Sequence, residues 1–179
     1  MKRLNTKNIS RIGALSAAAF ILQLLGSVIG LKVGGFLEIE ISDLPALIGT
    51  FAMGPAAGVI IELVKNVLHC AITSTGFVGE FANFVINGIF VLVAGLIYKR
   101  IRTRRGAALG MTAAVFAMTV AGAVTNLYIM LPLYMPTADF GTKLSLVLST
   151  ITPFNLCKGA ALSLITFLSY KKLKPIIMR

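Results

Sequence analysis

The chain has 179 residues, 57% of them hydrophobic, with a mean hydropathy of +0.90 and 17 basic against 6 acidic side chains, a net charge of +11. So apolar a composition in so short a chain excludes a water-facing globule and identifies an integral membrane protein. The positive charge does not point to nucleic acid, because the basic residues flank apolar spans instead of coating a soluble fold.

The N-terminus carries Lys2, Arg3, Lys7 and Arg11 ahead of an apolar run from Ile12 to Leu31. That order imitates a signal peptide. The run is as long as a full span, about 20 residues, and its small residues come early instead of at a cleavage site, so we read it as a retained first helix. Ala14 and Ala18 form an AxxxA pair, with Gly13 and Ala17 beside it, that lets another helix approach closely. The alternative is packing within the same subunit.

Residues 31–43 read LKVGGFLEIEISD. Gly34 and Gly35 permit a turn, Phe36 and Leu37 present apolar side chains next to it, and the alternation of Leu37, Ile39 and Ile41 with Glu38, Glu40 and Ser42 predicts an extended, half-buried segment. A lid or a plain amphipathic connection fits this pattern; the glycine pair favours a gate.

Leu44 to Ile72 is apolar but holds Glu62 and Lys65, and Gly54-Pro55 is a strong breaker. It is either a re-entrant loop or a helical hairpin turning at Gly54-Pro55. Halves of about 15 residues reach about 22 Å, short of a core near 30 Å, so they need shielding by longer helices. Glu62, Lys65, Asn66 and His69 lie along one helical stripe, where Glu62 and Lys65 can neutralise each other. No metal-binding spacing accompanies His69.

The next span, Phe81 to Tyr98, is preceded by GFVGE, and Glu80, Asn83 and Asn87 recur at helical spacing as the helix begins. Glu80 suits the positive helix N-terminus, and Asn83, one turn deeper, suits ligand contact. A basic cluster, Lys99, Arg100, Arg102, Arg104 and Arg105, separates it from the span Ala107 to Met135, which carries Asn126 near its far end.

The last span, Leu146 to Tyr170, contains TPFNLCKGA, with Asn155 and Lys158 on one face. A charge at bilayer depth usually faces a cavity and marks a substrate path. No acidic neighbour is evident in the chain around Lys158. With Asn126, this pair predicts an outward-opening cavity offering an ammonium and two amides, suited to a polar ligand rich in carbonyls or hydroxyls. The alternative is amides bonding between helices and Lys158 reaching for an interface. Cys70 and Cys157 lack ligand spacing and read as buried packing thiols.

Thirteen of the 17 basic residues fall in three clusters, the third being Lys171, Lys172, Lys174 and Arg179, and none of the acidic residues lies there. Placing all three inside requires an even number of crossings between neighbouring clusters. The prediction is therefore an all-α integral membrane protein: one domain over 1–179, six transmembrane helices of which two are short, both termini cytoplasmic, and outer connections near 31–43, 71–79 and 132–146.

The stretch EISDLPALIGTFAMGPAAGVIIELVKNVLH, the following GEFANF, the NLCK segment, Asn126 and the Ala14/Ala18 pair resemble the substrate-binding S components of bacterial energy-coupling factor (ECF) vitamin transporters, and among them the riboflavin-specific branch. The resemblance covers nearly the whole chain. It implies a non-enzymatic subunit of the bacterial cell membrane that captures a vitamin at its outer face. It also implies docking, through Ala14 and Ala18, to a membrane coupling protein that works with two ATP-hydrolysing subunits. The chain's lack of a phosphate-binding GxxxxGK[ST] loop fits such a division of labour. Phe36 and Leu37 would cover the ligand, while Asn126, Asn155 and Lys158 would bind its polar edges, with Glu80 and Asn83 nearby. Riboflavin would be cargo; no cofactor, metal or nucleic acid is implied. A pyridoxine-like or pyrimidine vitamin could use the same groups. A different class of function, a small intramembrane lipid enzyme using Glu62, His69 and Glu80, lacks any metal or phosphate motif.

Overall fold

The computed structural model describes residues 6–29, 32–33, 37–38, 41–73 and 77–177. The architecture is helical, apart from a two-residue antiparallel pair of β1 (Lys32–Val33) and β2 (Leu37–Glu38). Among the described residues, four helices are long and apolar enough to cross a membrane: Thr6–Val28, Val78–Arg100, Arg104–Tyr134 and Phe140–Ser169. They enclose two short helices, α2 (Leu44–Met53) and α3 (Pro55–His69).

The first long helix is α1 (Thr6–Ile29), and α4 (Val78–Arg100) is the most enclosed of the four. The third and fourth are each divided by a π-helical turn. One runs as α5 (Arg104–Thr125), a π segment at Asn126–Met130 and α6 (Leu131–Tyr134); the other as α7 (Phe140–Leu146), a π segment at Val147–Ile151 and α8 (Thr152–Ile177). Helix therefore fills most of the predicted outer connection at 132–146, leaving Met135–Asp139 between the two. At 1.5 Å per residue, the 31 and 30 residues of these spans reach about 45 Å, well beyond a hydrocarbon core of about 30 Å.

The Gly54-Pro55 breaker produces a hairpin and not a loop. Gly54 has φ 109°, a left-handed geometry that glycine adopts without strain, and Pro55 starts α3 with its ring fixing a helical φ. Asp43, before α2, meets Lys65, late in α3, so the two arms run antiparallel. The turn lies at the basic end of α4: Phe51 packs edge-on against Tyr98 with ring centroids 4.8 Å apart, and Pro55 sits against Gly95.

The core gathers Leu47, Phe51, Ile61, Phe90, Val91, Met118 and Leu162 from α2, α3, α4, α5 and α8. A smaller cluster of Leu131, Val147 and Ile151 lies at the other end, with Leu37 of β2 packed on it. Leu109, Phe116, Val120 and Val124 of α5 are each more than half exposed, so this helix presents an apolar stripe to lipid.

Candidate functional site

Among the described residues, the hairpin supplies the most concentrated polar chemistry. Glu62 and Lys65 are one turn apart on α3 and form an ion pair of 2.7 Å, as their spacing predicts. Lys65 Nζ also donates to Asp43 Oδ1 at 2.6 Å and to Ser42 Oγ at 3.2 Å, so three acceptors meet the three N–H groups of one ammonium. Asp43, Glu62 and Lys65 have no exposed side-chain surface.

The second oxygen of Asp43 is taken by Lys158. Lys158 Nζ lies 3.0 Å from Asp43 Oδ2, which corrects the expectation that this ammonium has no acidic neighbour. Two carboxylates and two ammonium groups thus form one cluster joining α2, α3 and α8. Its members compensate one another, the condition under which charge is tolerated away from water. Lys158 differs from the other three in keeping 11% of its side chain exposed, at the edge of the cluster.

Asn155 and Asn126 are buried on the two helices flanking this edge. Asn155 Nδ2 donates to Ile151 O at 2.9 Å and Asn126 Nδ2 to Gly122 O at 2.8 Å, each within its own helix. The π segments abut these bonds: one starts at the donor Asn126 and the other ends at the acceptor Ile151. Such wide turns are uncommon and cluster at functional sites. α5 and α8 meet closely here, since a Cβ on Gly122 would lie 2.6 Å from Asn155 Nδ2.

On α4, Asn87 Nδ2 donates to Asn83 Oδ1 at 3.0 Å, with Asn87 buried and Asn83 half-buried. Glu80, in the first turn of α4, is buried and 2.9 Å from His69 Nδ1, tying the end of α3 to the start of α4. The residues of the enzyme alternative therefore divide, with Glu62 inside the charge cluster and His69 paired with Glu80. Leu37 is half-buried against the smaller apolar cluster; Phe36 lies outside the described residues, as do Gly34 and Gly35 of the proposed gate. Among the described residues no group of three or more His, Cys, Asp or Glu is arranged to hold a metal. Cys70 is half-buried and Cys157 exposed, so Cys157 is not the buried packing thiol expected.

Along α1, Ala14 is exposed and Ala18 half-buried, and nothing lies within 4 Å of a Cβ built on Gly13. The small-residue face therefore points away from the bundle.

A family model described as the ECF transporter substrate-specific component matches residues 7–170. The chain belongs to this family. It is 36% identical to the riboflavin transporter RibU of Staphylococcus aureus, over 97% of this chain and 93% of that protein. It is 32% identical to the riboflavin transporter FmnP of Bacillus subtilis, over 97% and 95%. A solved S component of a bacterial ECF transporter superposes with a TM-score of 0.82 at 34% identity, covering 97% of this chain and 98% of that one. The chain is thus a membrane transport component and not an enzyme.

Of the S component's polar residues, sequence reasoning missed Asp43 and Ser42. Asp43-Leu44-Pro45 reads as a helix start, with aspartate as the cap and proline in the first turn. Its side chain makes no cap hydrogen bond. A surplus of buried lysine, with Lys65 and Lys158 against Glu62 alone, was the available signal.

Proposed function

We propose that this S component binds riboflavin at the edge of the charge cluster, between α5 and α8, and delivers it through an ECF transporter. What supports the reading is the Lys158 ammonium, held by Asp43 at 3.0 Å and partly open, on the same helical face as Asn155 and across from Asn126. These groups suit the carbonyl and ring-nitrogen edge of an isoalloxazine, which is neutral and needs hydrogen-bond donors and acceptors more than a surplus of charge. Relatives named as riboflavin transporters that align along nearly the full chain favour this vitamin over a pyridoxine-like or pyrimidine one.

Asn83 lines the same end of the bundle from α4, and Glu80 holds His69 there. Leu37, with Phe36, covers the ligand as part of a 31–43 lid. Riboflavin is cargo, and no cofactor is required.

The chain crosses the bacterial cell membrane six times, counting both arms of the hairpin, with both termini cytoplasmic. The turn at Gly54-Pro55 packs against the end of α4 that carries Lys99 and Arg100, the side where basic residues accumulate, so the charge cluster and the lid belong to the outer side. Binding there is of high affinity. The partners are a membrane coupling protein, docked on the Ala14/Ala18 face, and two ATPase subunits.

The reading is tested by purifying the protein and identifying what it carries. We expect flavin absorbance in the purified sample, riboflavin by mass spectrometry, and saturable one-to-one quenching of riboflavin fluorescence by ligand-free protein. Retention of a different vitamin, or no quenching by folded protein, contradicts it.

A further inference from the structure

An aspartate at a helix N-cap ordinarily accepts from backbone N–H groups of the first turn. Asp43 occupies that position on α2 and makes no such bond. Its carboxylate is fully buried and divided between two helices, with Oδ1 2.6 Å from Lys65 on α3 and Oδ2 3.0 Å from Lys158 on α8.

We propose that Asp43 is a positioning residue: it fixes the Lys158 ammonium at the ligand site. The proposal rests on the riboflavin reading given above. A lysine charge sits on four methylenes and is easily redirected. Lys65 shares the same carboxylate, so removing the negative charge leaves two ammonium groups repelling across the gap, and Lys158, the partly exposed one, is the one released. Riboflavin then meets a mobile cation.

The test is a double-mutant cycle on the intact purified protein, read by riboflavin fluorescence quenching, with wild type, Asp43→Asn, Lys158→Met and the double variant, and thermal unfolding without ligand as a control. Asp43→Asn is expected to weaken binding by roughly tenfold to a hundredfold, the range for a buried charged hydrogen bond left unmade. In the Lys158→Met background the same change is expected to cost less than about threefold, since residues acting through one contact are not additive. Losses that add fully, or wild-type affinity in Asp43→Asn, overturn the positioning role while leaving riboflavin binding in place. Wild-type protein that binds no riboflavin overturns the functional reading and the positioning role with it. Should Asp43→Asn fail to fold, Asp43→Glu carries the same cycle, because it keeps the charge and displaces the carboxylate by one methylene. A loss that appears only when Lys158 is present supports the proposal, and one independent of Lys158 rejects it.

Discussion

The buried charge cluster of α2, α3 and α8 and the outward face of α1 solve opposite problems. In the first, four ionisable groups are drawn from three helices and neutralised inside the bundle. In the second, Gly13, Ala14 and Ala17 leave a helix face smooth and uncharged, turned away from the subunit's own core. Charge inside a membrane protein must find its partner within the chain, whereas a smooth face gains contacts only from outside it. On the function proposed above, ligand capture belongs to the cluster and docking to α1.

The sharpest way to break this division is to load the smooth face. Ala14→Trp or Ala18→Trp is expected to abolish riboflavin uptake in cells while leaving binding to the purified subunit unchanged. Uptake at the wild-type rate would remove docking from α1.

The cluster is tested next. Lys65→Met leaves Asp43 and Glu62 with one ammonium fewer, and breaking a buried pair costs about 3–5 kcal/mol. A large fall in thermal stability in detergent is expected; unchanged stability would mean that Lys65 does not hold the hairpin to the 43 position. Gly122→Ala probes the contact between α5 and α8 more gently. Its Cβ would stand 2.6 Å from Asn155 Nδ2, so Asn155 must turn aside. Strain of this kind costs about 1–3 kcal/mol, and riboflavin affinity is expected to fall several-fold.

The smallest effect lies outside both regions. Asp139 caps α7, with its Oδ2 accepting from Thr142 N at 3.0 Å, and the bonds from Thr142 hold its carboxyl below the ordinary value of 3.8. A lowered folded value means that the cap's contribution is fully present above 3.8 and lost as pH falls through the lowered value. Asp139→Asn is expected to leave riboflavin binding at neutral pH unchanged. A measurable loss of binding would show that the α7 end belongs to the site.

Legibility in the sequence divides along the same line. The four long spans follow from the lengths of apolar runs, and the hairpin turn from Gly54-Pro55, because both signals are local. The Glu62–Lys65 pair and the Ala14/Ala18 face follow from helical spacing alone. Asp43 could not be found that way: it partners Lys65 across 22 residues and Lys158 across the rest of the chain, and its local context reads as a cap. The π segments beside Asn126 and Asn155 likewise have no local signature, since they arise where two helices fit together. Apart from Leu146, the helix over 140–146 lies outside every predicted span, because Asp139, Thr142 and Lys143 read as part of a polar connection.

The most direct test compares riboflavin titrations of wild type and Lys158→Met, followed by fluorescence quenching, with thermal unfolding measured alongside. We expect one-to-one saturation for the wild type and binding weaker by at least about tenfold in the variant, a loss typical of a buried charge-assisted contact, while the variant remains folded. A folded Lys158→Met protein with wild-type affinity would contradict the assignment of the α5–α8 site.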